Sequence, residues 1–512
     1  MKKLTLLALA GSALLSTLAL AQTTPPPATP QWRPAYHFTP AAHWMNDPNG
    51  MVFYQGTYHL FFQYYPGGMT WGPLHWGHAT SPEMLRWQEQ PVALAPDSLG
   101  YIFSGSAVVD ENNTAGFGKN ALVAIFTHHD PRGAKAGTAK FQNQSLAYSL
   151  DAGKTWTKYA RNPVLKNPGI KDFRDPKVSW NEQAGKWLMT LATLDRITFY
   201  SSPNLRDWTR ESEFGEKLGA HGGVWECPDL FPLTLNGQTH WVLLVNINPG
   251  GPNGGSATQY FVGQFDGHRF TPQDARTRWA DYGPDEYAGV TFANTAPRRV
   301  FLGWMSNWEY ANQVPTSPWR SAMTIPRELG LRQQGPEILL TMTPARELSK
   351  LAAAPTVLKN VAVKAPVDLS RLRVPSGKFR LDLKTNQLAG FELVLANAAG
   401  EELVLGFDRA KNQYFIDRGK AGQTGFNPKF AGRHAAPRLA TAAPADLTLY
   451  FDAASVELFA DGGLTTMTGI FFPSKPLTAI RLRSSRGVVF QEISSAALKH
   501  DPTTKPVEIG KR

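Results

Sequence analysis

His43-Trp44-Met45-Asn46-Asp47-Pro48-Asn49-Gly50 opens a unit that the chain repeats. Behind Asp47 come the apolar run Met51-Val52-Phe53-Tyr54, a turn at Gly56, and a second run from Tyr58 to Tyr65. Asp175, in Phe173-Arg174-Asp175-Pro176, leads to Val178-Ser179-Trp180, a turn at Gly185, and Trp187 to Leu191. Glu226, in Trp225-Glu226-Cys227-Pro228, leads to Leu230-Phe231-Pro232-Leu233, a turn at Gly237, and Trp241 to Val245. The three glycines fall nine, ten and eleven residues after their acids, and each acid lies one or two residues before a proline. One unit, acid then strand, turn and strand, therefore occurs three times. It predicts an acid at the same structural place in each copy.

Read singly, the motifs are bland. Asp-Pro-Asn-Gly is a tight-turn sequence. Arg174-Asp175 has the form of a solvated surface pair. Glu226 is odder, because Trp and Cys neighbours belong in an interior. Repetition within one unit carries the functional reading.

Outward from these units the pattern stays β. From Pro34 to about Leu340 short apolar runs alternate with Gly, Asn, Asp and Pro turns, and no amphipathic helix is expected. Five strands stand out, Tyr58–Tyr65, Ala121–His128, Trp187–Thr193, Trp241–Asn246 and Val300–Met305, their starts 54 to 66 residues apart. A corner element recurs too: Ser81-Pro82-Glu83-Met84-Leu85-Arg86-Trp87 resembles Ser202-Pro203-Asn204-Leu205-Arg206-Asp207-Trp208, with Ser149 to Trp156 a looser copy. A β unit repeated five times at this period predicts a propeller, whose innermost strands converge on an axis. Acids on three such strands meet at one mouth of the channel.

Residues 34–342 are expected to form this five-bladed propeller and residues 343–355 a short helical connector. Alternation without the blade period resumes from Val357 to Ile493, in runs such as Phe379 to Leu383, Glu402 to Phe407 and Val456 to Phe459. Residues 356–498 are therefore expected to form a β-sandwich. The Thr/Pro-rich stretch 22–33 reads as a linker and residues 499–512 as a polar tail. The fold class is all-β, a propeller followed by a sandwich.

Composition bounds the partners. The chain has 512 residues, 42% hydrophobic, with 45 Gly and 39 Pro, which is a turn-rich globular chain. Its formal charge of +11 is spread without a basic run, so no nucleic-acid partner is expected. Residues 1–21 read as a secretory signal: Lys2 and Lys3, an apolar stretch from Leu4 to Leu20, and Ala19-Leu20-Ala21 as the cleavage site, cut after Ala21. The mature chain is expected to be secreted or periplasmic, with no membrane contact after cleavage. Cys227 is the only cysteine, which excludes an internal disulfide and a thiolate zinc site. No metal and no cofactor are expected, and oligomeric state is left open.

Two carboxyl groups flanking one bond suit glycoside hydrolysis, one ionised and one protonated. Burial beside Trp225 and Cys227 is expected to favour a protonated Glu226. Arg174 is expected to keep Asp175 ionised, and the donor-rich turn at Asn46 to keep Asp47 a charged nucleophile. Trp44, Trp71, Trp76, Trp304 and Trp308 offer flat faces to a sugar, with core packing expected for about half of them.

At these residues the chain resembles glycoside hydrolase family 32, the invertase, inulinase and levanase group. The resemblance runs from about residue 34 to 475. It rests on Trp44 to Gly50, Phe61-Phe62-Gln63-Tyr64, Trp71-Gly72, His75 to His78, Phe103 to Ser106, Phe173 to Pro176, Glu226-Cys227-Pro228, Gly303 to Trp308 and Ala454 to Phe459. The segment Asn307 to Arg327 is most similar to microbial exo-acting levanases and fructan β-fructosidases. The resemblance implies a carbohydrate substrate and a retaining mechanism on β-fructofuranosides. Asp47 is then the nucleophile, Asp175 the transition-state stabiliser and Glu226 the acid/base, modulated by Cys227. By resemblance and residue chemistry, Trp44, Asn46, Gln63, Trp71, Phe103, Ser104, Arg174 and Trp308 bind the ring. Levan, inulin and sucrose stay open as substrates, as does fructosyl transfer. Two other classes compete: a non-catalytic sugar-binding propeller, and an inverting propeller glycosidase with its carboxyls about 6.5–9.5 Å apart instead of about 5–5.5 Å.

Overall fold

The computed structural model describes residues 30–374, 377–442 and 445–499. The expected signal, residues 22–29 of the expected linker and residues 500–512 of the expected tail lie outside them. Five sheets are built outward from innermost strands, His43–Tyr54, Tyr101–Asp110, Phe173–Asn181, Val224–Leu235 and Tyr287–Thr291, and are antiparallel except where the short strand Trp319–Arg320 pairs in parallel with His43 and Trp44. Each innermost strand packs against the next, and the fifth packs back on the first. The sheets thus close into a ring of five blades.

The five conspicuous runs of the sequence are the second strands of these blades, Thr57–Tyr65, Ala121–His129, Lys186–Thr193, Gln238–Asn248 and Val300–Met305. A blade is covered on both faces by its neighbours, so these runs need no polar alternation. Ala121 to Phe126 are all buried, for instance: Ala124 and Phe126 in a core with Phe61 and Trp76, Ala121, Val123 and Ile125 in one with Phe173 and Met189, and Leu122 in one with Val52 and Ala107. The repeated corners join third to fourth strands. In each, a serine hydroxyl accepts from a backbone N–H, Ser81 from Glu83, Ser202 from Asn204 and Ser149 from Gly153. Met84, Leu205 and Ala152 take left-handed backbones there.

One helix was not anticipated. Pro131–Lys135 forms a single turn, capped by the Asp130 carboxylate on the Arg132 N–H at 3.0 Å. Five residues are too few to display helical periodicity. The connector holds a 3-10 helix, Arg346–Leu351.

Three inner strands are tied together: Lys177 of the third blade donates to the Thr291 carbonyl of the fifth at 2.5 Å and pairs with Asp229 of the fourth at 3.1 Å. All three residues lie further along their strands than the catalytic candidates.

From Thr356 to Ala497 the chain forms two six-stranded sheets enclosing one core that includes Phe379, Leu393, Leu449 and Phe490. Buried ion pairs join it to the propeller. Arg327 pairs with Asp281 at 2.8 Å and with Glu457 of the sandwich at 2.5 Å. Arg418 of the sandwich pairs with Asp285. His37 bridges Asp452 at 2.8 Å and Glu457 at 2.9 Å. The end of the expected linker is no free tether: the Trp32 indole N–H donates to the Pro473 carbonyl at 2.7 Å, and its ring lies edge-on to Phe472.

Candidate active site

Every innermost strand carries a β-bulge. The bulges fall between Met45 and Pro48, Phe103 and Gly105, Arg174 and Lys177, Glu226 and Asp229, and Tyr287 and Val290. A bulge adds an unpaired residue and re-aims its side chain; the first three hold Asn46 and Asp47, Ser104, and Asp175, the fourth Cys227, and the fifth Ala288 and Gly289. Asp175, Cys227 and Ala288 have left-handed backbones, with φ of 63°, 41° and 54°.

This register corrects the repeat. Arg174 and Glu226 are the last paired residues before their bulges, and Asp175 and Cys227 the first residues within them. The equivalent of Asp175 in the fourth blade is therefore Cys227. Glu226 stands one residue earlier and reaches the same cavity from a different place.

That cavity, of about 470 Å³, is lined by Asn46, Asp47, Gln63, Trp71, Phe103, Ser104, Arg174, Asp175, Glu226 and Trp308. The acids are linked within it. Asp47 accepts from the Asn46 amide at 2.9 Å on one oxygen, and from the Ser104 hydroxyl at 2.7 Å and the Cys227 thiol at 3.5 Å on the other. Asp175 accepts from the Cys227 backbone N–H at 3.1 Å. Residue 227 thus holds both aspartates and directly follows Glu226.

The electrostatics depart from expectation. Arg174 donates to Glu226 Oε1 from Nε at 3.1 Å and from Nη2 at 2.9 Å, and to Asp172 at 2.5 Å, while Asp175 is 3.9 Å away. Burial pushes the Asp175 carboxyl up to about 7; Arg174 opposes this, and Glu226 and Asp47 add to it. Arg174 therefore does not hold Asp175 in the ordinary carboxylate range. Asp47 is likewise raised, by burial and then by Glu226, against the donors Asn46 and Ser104. Burial, then the neighbouring carboxylates, pushes the Cys227 thiol far up, so it stays a donor. Glu226 is not sealed by its sequence neighbours. Successive strand side chains point to opposite faces, and Trp225 enters the core between third and fourth blades. Glu226 keeps 20% of its side chain exposed and accepts from Arg174 and from the Tyr287 hydroxyl. Among the described residues no group of three or more His, Cys, Asp and Glu side chains is arranged to hold a metal ion.

Two adjacent stretches of the chain match two family descriptions. Residues 37–342 match "Glycosyl hydrolases family 32 N-terminal domain" and residues 347–500 "Glycosyl hydrolases family 32 C terminal". The chain belongs to glycoside hydrolase family 32. Among family relatives, a levanase of Bacillus subtilis is 50% identical over 423 residues, covering 79% of this chain and 61% of that protein. The chain thus spans about three fifths of that levanase. The crystal structure of an exo-inulinase from Aspergillus awamori superposes with a TM-score of 0.83 at 37% identity, over 92% of this chain and 99% of that one. A β-fructofuranosidase from Schwanniomyces occidentalis, complexed with fructosyl-erythritol, gives a TM-score of 0.82 at 32% identity, over 91% of this chain and 98% of that one.

Within this family-32 cavity the aromatic expectations divide. Trp71 is 40% exposed and Trp308 half-buried, both on the wall. Trp76 and Trp304 are core. Trp44, expected to bind substrate, is also wholly buried off the cavity; its indole N–H donates to Asn46 Oδ1 at 2.8 Å and so orients the amide that holds Asp47. Gln63 is buried at the cavity with both amide atoms unpartnered, which leaves its hydrogen bonds for a ligand. Sequence reasoning missed four groups. Asp172 lies two residues before Arg174 on a β pattern, a signal that was present. His129, stacked on Phe103 at 4.2 Å, Gln142, which accepts from the Phe173 N–H at 2.8 Å, and Tyr287 arrive from other strands and gave none.

Proposed function

We propose that this chain is a secreted retaining β-fructofuranosidase that releases terminal β-D-fructofuranosyl units from fructans such as levan and inulin, and from sucrose. Asp47 attacks the anomeric carbon of the terminal unit, and the bond from that carbon to the leaving oxygen breaks. Glu226 gives its proton to that oxygen. Water then cleaves the fructosyl-Asp47 ester, giving a proton back to Glu226. Asp175, fixed between these groups, stabilises the oxocarbenium-like centre, and Asn46, Gln63 and Ser104 bond the ring hydroxyls while Trp71, Phe103 and Trp308 wall them in.

The observation that carries this reading is the fixing of both aspartates by residue 227, next to the third acid. Membership of family 32 and the fructosyl ligand named for the Schwanniomyces structure support the substrate class. The tie that Lys177 makes between the inner strands favours attack on chain ends. Names of curated relatives that include the word extracellular, together with the expected signal, support secretion.

The test is to trap the intermediate. Glu226→Ala, given a fructoside with a good leaving group and azide, is expected to yield a β-fructosyl azide, and mass spectrometry is expected to find the trapped fructosyl group on Asp47. An adduct on Asp175, or an inverted product, overturns the assignment. Fructose as sole early product from levan and inulin is expected; early oligomers contradict attack at chain ends.

A further inference from the structure

The fourth and fifth blades are stitched together directly behind Glu226 and Tyr287. Asn246, on the second strand of the fourth blade, is the register partner of Glu226 and is wholly buried. Its amide nitrogen donates to the Cys227 carbonyl at 2.8 Å and to the Gly289 carbonyl at 3.4 Å. Its amide oxygen accepts from the Gly289 N–H at 3.2 Å and from the Thr258 hydroxyl. Two carbonyls on one side and two donors on the other fix which way the amide points.

Cys227 needs such a hold. A non-glycine residue at φ 41° sits where side chains are unfavourable, and persists only when its surroundings over-determine it. Its N–H is engaged by Asp175, its thiol by Asp47 and its carbonyl by Asn246. The last of these is the only one that is not itself an acid of the site. Asn246 also grips the bulge that follows Tyr287 in the fifth blade. One amide therefore fixes both strands that bring Tyr287 and Glu226 together.

We propose that Asn246, held by Thr258, is the positioning residue for proton transfer by Glu226. It locks the left-handed peptide at Cys227 and the bulge at Ala288 and Gly289, so that the Tyr287 hydroxyl meets Glu226 Oε2 and the other Glu226 oxygen stays on Arg174. Neither Asn246 nor Thr258 lines the cavity, so neither touches the substrate. The inference rests on the acid/base role proposed above for Glu226. Releasing the peptide moves the proton donor, and proton transfer tolerates misplacement less well than ring binding does.

Wild type, Asn246→Ala, Thr258→Val and Glu226→Gln are compared on two substrates. Sucrose has a leaving oxygen that must be protonated; an aryl fructoside with a good leaving group departs without a proton. For Asn246→Ala, kcat/KM, which reports the step that expels the leaving oxygen, is expected to fall about 30-fold on sucrose and less than about 3-fold on the aryl fructoside. Thr258→Val is expected to discriminate in the same direction, by about 5-fold. It preserves side-chain shape, so it decides the matter if Asn246→Ala does not fold. Equal losses on both substrates, or no loss on either, overturn the proposal. Glu226→Gln separates the two levels: if it fails to discriminate between the substrates, the acid/base reading falls and takes this inference with it. If it discriminates and the other two variants do not, the inference alone falls.

Discussion

Arg174 donates two hydrogen bonds to Glu226, at 2.9 and 3.1 Å, and stands 3.9 Å from its own neighbour Asp175. A planar guanidinium can fork onto one carboxylate while its remaining nitrogen reaches Asp172. A lysine cannot. Arg174→Lys is therefore expected to lose about 10²-fold or more in kcat/KM, with an unchanged melting temperature. Steady-state kinetics on sucrose beside a thermal melt check this, and wild-type turnover in the variant contradicts it.

Asp175 titrates near 7 in the folded chain against an ordinary 3.8. The folded state thus keeps a proton that the unfolded chain has released, and stability declines as pH rises between those values. Asp175→Asn abolishes this decline. Its melting temperature at pH about 7.5 is expected to exceed that of wild type by about 2 °C or more, while kcat drops by about 10³-fold. Melts across that window for both proteins decide the point, and parallel curves refute it.

His37 behaves oppositely. Burial alone would lower its ring, but hydrogen bonds to Asp452 and Glu457 raise it to about 9 from 6.5. Its stabilisation is complete below the unfolded value and fades as pH climbs through the folded one. The wild-type melting temperature is expected to fall across that interval. His37→Gln should be less stable by about 3 kcal/mol at pH about 6 and should show a flatter slope. Denaturant titrations at about pH 6 and 9.5 measure both quantities; a slope identical to wild type rules out His37 as its source.

Gln63 and Trp71 face the cavity, Trp71 edge-on to Phe103. Gln63 has no partner for its amide, and Trp71 is 40% exposed. Each Ala variant is expected to lose about 10-fold or more in kcat/KM with a melting temperature within about 2 °C of wild type. Kinetics unaltered in both would remove them from the binding wall.

Much of this was legible because a propeller writes its period into the chain. Met51 to Tyr65 announces a hairpin, and four later hairpins share its spacing. The three acids were legible as motifs. Their electrostatics were not, because adjacency in a strand is not adjacency in space. Trp225 touches Glu226 in sequence and lies in a different core. Arg174 touches Asp175 in sequence and serves another blade. Trp44 sits inside the most recognisable motif yet acts from behind it, through Asn46. Tyr287 escaped notice because its value depends on which strands a bulge brings face to face, which depends on closure of the ring. The single-turn helix at Pro131 left only a capping aspartate and a proline to be read.

On the function proposed above, the ammonium group of Lys177, lodged between Asp229 and Thr291, bears on how a population of polymers shrinks. With the inner strands tied there, a fructan end and its products share the mouth of the cavity. The fructose cut from that end lies underneath the shortened chain and leaves after it. Each catalytic cycle is then expected to end with both products back in bulk solution, and the next chain to arrive is drawn at random. Average chain length then declines evenly across the whole sample, long chains losing their tips at the same rate as short ones, and no molecule is eroded to completion while its neighbours remain untouched.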